Sequence, residues 1–359
     1  MLSKKKKKTS SVVGLEIEGD GIAAAEVSVN GSARVEASGL IDLEPGIVAE
    51  GEVLAPEPLA EALRAVFSKN KLPKDVRLGI ANQRVAVRTL RLPLIENPEE
   101  LDTAVRFQAQ DEIPMPIEQA VLDYQVVGRY NDDDGARRMD VVVVAARRDM
   151  LARFVDSVNG AGLNPVGFDL AAFGMIRALA DRDGAEQAGS DGERPYVPAT
   201  LFCHVGDVTN LAVARGSACL FTRVSPFGLD EIAADVGGEE MPREHARQWV
   251  FHAGLERPVE EIDGDPEAVT AAREAVESGA GRLVDELRLS LEYYGAQEGA
   301  QAIERIVLCG PGSTIPGLPA LVQEALGQPV DAALPGALSG FDPATAARLT
   351  LPYGLALEE

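Results

Sequence analysis

Residues 308–318 have the sequence LCGPGSTIPGL and follow an apolar run, IERIVL, that is typical of a buried strand. Two glycines flank a proline at the start of this segment, and a second proline–glycine pair follows. Glycine lets a backbone approach a ligand closely, and free N–H groups collect where a strand leads into a helix. Two interpretations are open from this loop alone: a tight strand-to-helix turn, or a loop that contacts a bound ligand.

Two similar strand–turn–strand–turn–strand patterns precede this loop, one in each half of the chain. They cover residues 12–40 and 200–224, and their second turns, NGSA from Asn30 and RGSA from Arg215, align. Such a repeat indicates an internal duplication, and a chain with two related halves commonly binds its ligand in the crevice between them. We therefore expect an α/β protein with two lobes.

The composition excludes several classes of protein. A chain of 359 residues is too long for one compact core. The formal net charge of −23 argues against nucleic acid as a partner, because phosphate backbones require a basic surface. No apolar run approaches the ~20 residues that a membrane helix needs, and the basic start of the chain is not followed by an apolar stretch. We therefore expect a cytoplasmic protein without a signal peptide.

A run of five lysines near the start of the chain contrasts with this acidity. One interpretation is a disordered tail that increases solubility. The other is a tether to anionic lipid headgroups, to which each basic residue contributes roughly 1 kcal/mol near the surface. On the second interpretation the membrane-contacting residues are Lys4, Lys5, Lys6, Lys7 and Lys8.

The first turn of each repeat is a candidate for phosphate binding. A hairpin tip that contains glycine exposes N–H groups in a concave arrangement that can hold phosphate oxygens. Either tip alone is more typical of an ordinary turn, but two equivalent tips and the GPGS loop would enclose a nucleotide from both sides. The candidate nucleotide-binding residues are Glu16, Glu18, Gly19, Asp20, Gly21, Gly206, Asp207, Thr209, Asn210, Gly310, Gly312 and Ser313.

Together these motifs resemble the actin-like ATPase superfamily and, within it, the PilM family of type IV pilus assembly. VVGLEIEGDGIAAAEV resembles the first phosphate motif of the superfamily, FCHVGDVTNLAVARGSACLFTRVSPFG the second, and LCGPGSTIPGL the adenosine motif. DEIPMPIEQAVLDYQVV (111–127) and VDELRLSLEYY (284–294) are similar to PilM rather than to actins at large. The resemblance extends over nearly the whole chain.

For the fold, the resemblance implies a bilobed, actin-like arrangement of two ribonuclease H-like halves with a small inserted α+β subdomain. The first lobe would take residues 12–75 and 166–182, with the insertion at 76–165 and a basic tail at 1–11. A linker at 183–198 would lead to the second lobe, formed by 199–225 and 300–340 around a helical part at 226–299. The last segment, 341–359, would pack back on the first lobe.

For function, the resemblance implies a cytoplasmic scaffold at the inner face of the cell membrane, in a pilus or a related secretion machine. Its groove beside the insertion would take the N-terminal tail of a PilN-like inner-membrane protein, and the chain would form a homo-oligomer. The cleft between the lobes would bind ATP with Mg²⁺ on Glu16 and Asp207. Asp285, Glu286 and Arg288 lie where some relatives contact adenosine.

The motifs depart from the family pattern where the chemistry would take place. Glu16 replaces the usual strand aspartate, and the first turn carries carboxylates without a basic residue. His204 replaces the aspartate of the second motif, although Mg²⁺ prefers oxygen ligands. Pro311 removes one N–H donor from the third. We therefore expect at most weak ATPase activity and identify no catalytic residue. The alternatives are an active ATPase or kinase of this fold and a filament-forming protein like FtsA.

Overall fold

The computed structural model describes residues 11–132, 134–180, 198–238, 241–297 and 299–357. The predicted membrane-contacting residues Lys4–Lys8 lie outside these ranges, as does the predicted linker up to residue 197. In the described part of the chain, no helix is both long enough and apolar enough to cross a membrane.

The strands in chain order are β1 (Val13–Glu18), β2 (Gly21–Asn30), β3 (Ser32–Asp42), β4 (Val48–Ala49), β5 (Glu52–Val53), β6 (Asp75–Ile80), β7 (Ala86–Pro93), β8 (Ala120–Asn131), β9 (Arg137–Arg147), β10 (Asn164–Leu170), β11 (Ala199–Val205), β12 (Thr209–Arg215), β13 (Ala218–Ser225), β14 (Ile303–Cys309) and β15 (Val330–Ala332). The α-helices among the described residues are α1 (Pro56–Asn70), α2 (Pro98–Glu112), α3 (Arg148–Gly160), α4 (Ala171–Leu179), α5 (Leu229–Gly237), α6 (Arg243–Ala253), α7 (Pro266–Gly295), α8 (Leu318–Leu326) and α9 (Pro343–Ala356).

Two five-stranded sheets of the same design form the two lobes. The strand order is β10-β6-β1-β2-β3 in the first and β15-β14-β11-β12-β13 in the second. In each sheet three consecutive strands pair antiparallel, and two later strands add in parallel beside the first of the three. The duplicated strand pattern of the sequence is thus a duplicated sheet, and the predicted bilobed α/β fold is confirmed.

Apolar residues fix the position of the central strand in each sheet. All seven residues of β11 are buried, because it lies between a parallel and an antiparallel neighbour with helices packed on the sheet. The first strand, β1, is buried in the same way up to Glu18. Each hairpin tip that follows these strands is therefore anchored by a rigid, buried element.

The insertion is a three-stranded antiparallel sheet, β7-β9-β8, with α2 packed on it. It is narrower than the predicted range 76–165. The strand β6 belongs to the first lobe, since it pairs in parallel with β1 and β10. The helix α3 joins the first lobe as well, because Met150, Phe154 and Val158 lie in its core. The separate sheet therefore occupies residues 86–147.

The last helix, α9, packs against the first sheet and also contacts the second lobe. Leu349 and Tyr353 pack on Ala25 and Val27 of β2. Leu351 and Leu355 lie in a cluster with α4 and with Phe202 of β11. The helix thus connects the cores of the two lobes.

Glycine is required where α9 meets β1. A Cβ on Gly14 of β1 would overlap the carbonyl oxygen of Pro352. A Cβ on Gly354 would overlap the carbonyl oxygen of Gly174 in α4 in the same way. Backbone atoms on both sides leave little room for adjustment, so these contacts depend on the absence of side chains.

Gly14→Ala is expected to lower the free energy of unfolding by about 2 kcal/mol or more, because overpacked backbone contacts cannot relax. The matched control is Gly281→Ala in α7, where the added methyl group would meet no atom within 4 Å. An alanine in this exposed helix position should raise stability by about 0.5–1 kcal/mol. Urea unfolding of both variants measures the difference, and a Gly14→Ala protein as stable as the parent would contradict the packing described for α9.

Candidate functional site in the cleft between the lobes

The tips of the β1–β2 and β11–β12 hairpins contact each other across the cleft between the lobes. The N–H of Asp20 donates to Oδ2 of Asp207 at 2.6 Å. The N–H of Asp207 donates to Oε2 of Glu18 at 3.2 Å. A Cβ on Gly206 would overlap both carboxylate oxygens of Glu18, so a larger residue there would displace this carboxylate. Each tip therefore provides a carboxylate to a backbone N–H of the other.

Two arginines from the second lobe join the two tips. Arg243 donates to the carbonyl oxygen of Gly19 at 3.0 Å and to Oδ2 of Asp207 at 3.3 Å. Arg247, one helical turn further along α6, donates to the carboxylate of Asp20 and to Oδ1 of Asp207, the latter at 3.3 Å. We call Glu18, Asp20, Asp207, Arg243 and Arg247 the interlobe clasp.

Asp230, at the start of α5, holds the arginines in place from the side of the second lobe. Its carboxylate pairs with Arg243 and lies 3.9 Å from Nε of Arg247. Neither arginine was predicted as a site residue. The sequence feature that could have identified them is their spacing of four residues in the helix that follows Pro242. This spacing places both side chains on one helix face.

Burial and nearby negative charges raise the pKa values of Asp207 and Glu18. Desolvation and the charge of Asp20 raise the pKa of Asp207 to about 6, although Arg247 and Arg243 act in the opposite direction. Burial and the charge of Glu16 raise the pKa of Glu18 well above its usual value. The cleft therefore holds more carboxylates than its arginines neutralise.

Glu16 and His204 form a buried pair behind the tips. Oε1 of Glu16 lies 3.4 Å from Nε2 of His204, and both side chains are buried. Burial lowers the pKa of His204 to about 4, whereas burial and the charge of Asp20 raise the pKa of Glu16. At neutral pH the imidazole is therefore uncharged. A neutral imidazole suits this buried position.

The loop at residues 310–314 packs against β11. A Cβ on Gly310 would lie 2.6 Å from the ring of His204, and one on Gly312 would overlap the side chain of Val205. The Ser313 hydroxyl donates to the carbonyl oxygen of Gly310 at 2.7 Å. Both glycines thus make room for side chains of the second lobe, and the serine caps its own turn.

The remaining predicted residues take different positions. Thr209 and Asn210 follow the second tip and are buried, and Thr209 Oγ1 and Asn210 Nδ2 have no hydrogen-bond partner among the described residues. Asp285 and Arg288 pair with each other on the exposed face of α7. Glu286 lies 3.6 Å from Arg223 of β13 rather than at the tips.

Gly21, the last of the predicted residues, begins β2 beside the carbonyl oxygen of Ile41 and the guanidinium of Arg348.

A Mg²⁺–triphosphate does not fit this arrangement of residues. The N–H groups of Asp20 and Asp207, which would hold phosphate oxygens, already donate to carboxylates. The space beside the tips measures about 20 Å³, which is room for about one water molecule. The predicted Mg²⁺ ligands Glu16 and Asp207 do not fall into one group of potential donors: the two groups are Glu16–Glu18–His204 and Glu18–Asp20–Asp207, which share Glu18.

Stability should depend on pH through Asp207. Its folded-state pKa of about 6 lies above the usual value, so its stabilising contribution is present at acidic pH and is lost as the pH rises through about 6. Asp207→Asn removes this titration. Between about pH 5 and pH 7.5 the parent protein should lose more free energy of unfolding than the variant.

Urea unfolding at the two pH values makes this comparison. Asp235→Asn, which removes a carboxylate from the exposed pair with Arg282, is the control for the loss of one charge. Equal pH dependence in the parent and in Asp207→Asn would contradict the raised pKa.

The model of a family described as type IV pilus assembly protein PilM matches residues 14–256. A solved structure described as a PilM–PilN type IV pilus biogenesis complex is 24% identical, with a TM-score of 0.79 over 96% of this chain and 97% of that chain. MreB5 of Spiroplasma citri bound to ADP is 10% identical, with a TM-score of 0.56 over 96% of this chain and 95% of that one. Both share the bilobed fold. Since the family model matches more than half of the sequence, the chain belongs to the PilM family of type IV pilus assembly proteins.

Proposed function

We propose that this protein is a cytoplasmic scaffold of a type IV pilus or related secretion machine, and that it binds the N-terminal tail of a PilN-like inner-membrane protein. The observation that carries the proposal is a groove of about 1090 Å³ between the insertion and the second lobe. Its walls are β7, β13 and the end of α7. The similar structure described as a PilM–PilN complex supports the choice of partner.

Two strand edges border this groove. The strand β7 is the outer strand of its sheet, and β13 is the outer strand of the second lobe. Residues 87–91 and 220–224 line the groove without a gap, so residues from both faces of each strand contribute. That pattern indicates that the outer edges of the two strands border the groove. An extended peptide can add to such an edge through backbone hydrogen bonds.

Aromatic rings give the groove a place for apolar side chains. Phe221 of β13 lies 5.6 Å from Tyr294 and 5.9 Å from Tyr293, measured between ring centres. Tyr293 is 59% exposed, so part of its ring is available for contact with a bound side chain. Five groove-lining strand residues span about 16 Å, so each edge has room for a short peptide segment. A short, extended, partly apolar tail therefore matches the groove.

The position at the membrane is part of the same proposal. A PilN-like tail begins at the membrane surface, so a scaffold that binds it lies at the inner face of the membrane. Lys4–Lys8 would add attraction to anionic lipid headgroups there. Formation of a homo-oligomer would place several tails side by side.

Thr89→Trp should block the groove, because Thr89 is exposed and lines it on β7. The probe is a synthetic peptide that copies the N-terminal tail of the PilN homologue encoded in the same genome. Titration calorimetry should show binding to the parent chain and affinity weakened by about tenfold or more, or ~1.4 kcal/mol, in the variant.

Thr270→Trp is the matched control, since Thr270 is equally exposed but lies on α7 outside the groove. Its affinity for the peptide should equal that of the parent. Equal binding by both variants, or no binding by the parent chain, would contradict the proposed docking groove.

ATP turnover separates a scaffold from an ATPase or kinase of the same fold. The N–H groups of Asp20 and Asp207 already donate to carboxylates and cannot hold the phosphates of ATP at the same time. We therefore expect phosphate release from Mg-ATP at the background rate, both for the parent and for Asp207→Asn. A phosphate-release assay on purified protein makes the comparison. Turnover above background that disappears in Asp207→Asn would establish an active ATPase and contradict the scaffold proposal.

A further inference from the structure

We propose that the interlobe clasp closes the cleft in place of Mg²⁺–nucleotide, so that the two lobes hold their relative position without a bound ligand. The inference rests on the contacts of Glu18, Asp20, Asp207, Arg243 and Arg247. Its consequence for partner binding rests additionally on the proposed function of the groove.

The clasp uses the backbone N–H groups that a phosphate would need. A phosphate held between two hairpin tips accepts hydrogen bonds from backbone N–H groups of both. Here the oxygens that accept from Asp20 and Asp207 are those of Asp207 and Glu18, each from the opposite lobe. Carboxylate oxygens carry negative charge as phosphate oxygens do, so they are suitable substitutes at such donors.

The same carboxylates also pair with the arginines of the cleft. Arg243 and Arg247 contact Asp207, and Arg247 also pairs with Asp20 of the first lobe. In a nucleotide site, cations balance the charge of the phosphates. Here two arginines face Glu18, Asp20, Asp207 and Asp230, so a triphosphate would add negative charge to a cluster that is already acidic.

The tips are also in close contact. A Cβ on Gly206 would overlap the carboxylate of Glu18. Gly19 lies close to Oδ2 of Asp207, at 2.8 Å from the position of an added Cβ. A phosphate could therefore reach the tip N–H groups only after the carboxylates of Glu18 and Asp207 had moved away.

The clasp also controls the shape of the proposed groove. One wall of that groove, β7, belongs to the insertion in the first lobe, and the opposite wall, β13, belongs to the second lobe. The width of the groove therefore depends on how the lobes are held together. With the clasp closed, the groove is formed before any nucleotide binds, and partner binding becomes independent of ATP.

Hydrogen–deuterium exchange at the hairpin tips tests the proposal directly. In the full-length parent protein without nucleotide, the amides of Asp20 and Asp207 should be protected, because each donates to a carboxylate of the other lobe. Addition of millimolar Mg-ATP should leave this protection unchanged. Tip amides that exchange as fast as an unstructured peptide, or that gain protection with Mg-ATP, would overturn the proposal.

Two variants separate the clasp from general stability. Arg243→Ala/Arg247→Ala should speed exchange at both tips by about tenfold or more, because it leaves the acidic tips without cations. Gly206→Ala should do the same at Asp207 by displacing Glu18 while keeping both arginines. The control is Arg106→Ala/Arg215→Ala, which removes two exposed arginines from other surfaces.

Unchanged hydrogen exchange at the tip amides in both clasp variants would overturn the proposal. If a variant does not fold, the exchange of the tip amides in the parent protein still tests the proposal. The tail peptide should bind the parent with the same affinity with and without Mg-ATP. If the tip amides are protected but the peptide does not bind, the proposed docking groove is contradicted and the clasp is not. If the tip amides are unprotected, the clasp is contradicted. The two failures are therefore distinguishable.

Discussion

Reciprocal hydrogen bonding between two hairpin tips, one from each lobe, sets the geometry of this molecule. The N–H of Asp20 binds the carboxylate of Asp207, and the N–H of Asp207 binds that of Glu18. Because a buried strand of a duplicated sheet precedes each tip, a contact at the tips fixes whole lobes relative to each other. The groove between the insertion and β13 lies across the same lobe boundary and takes its width from this contact.

The unusual residues of the cleft form a consistent set. Glu16 and His204, which stand where the family pattern has aspartates, form a buried pair in which the imidazole is uncharged at neutral pH. Gly310 and Gly312 fit the loop against His204 and Val205. Nearer the surface, Arg243 and Arg247 offset part of the acidic charge of the tips. The two-lobed fold is thus closed at the cleft by contacts among its own side chains and backbone.

The sequence was sufficient to predict the fold, because the duplicated pattern of three strands and the strand before Gly310 are each encoded by short apolar runs. It placed both boundaries of the insertion wrongly, at residues 76 and 165 rather than 86 and 147. The strands β6 and β7 are neighbours in sequence and resemble a hairpin, yet they lie in different sheets, since the apolar face of β6 is buried in the first lobe. The alternation of apolar residues along a strand does not show which sheet the strand joins.

The candidate site was predictable as a set of residues but not as an arrangement. The two tips were identified from glycines and carboxylates, which are local features. Whether those carboxylates face a ligand or each other depends on how closely the lobes approach, and no sequence spacing encodes that distance. The arginines were missed for a related reason, because two arginines one helical turn apart are common on exposed helix faces, and only the tertiary contacts with Asp20 and Asp207 give them a role.

A crystal structure of the full chain grown with Mg²⁺ and a non-hydrolysable ATP analogue decides whether the hairpin tips stay in contact when nucleotide is present. We predict that Oδ2 of Asp207 remains within hydrogen-bond distance of the Asp20 N–H, that Glu18 remains on the Asp207 N–H, and that the cleft contains no nucleotide. A triphosphate bound to those two N–H groups, with Glu18 and Asp207 displaced, would contradict it.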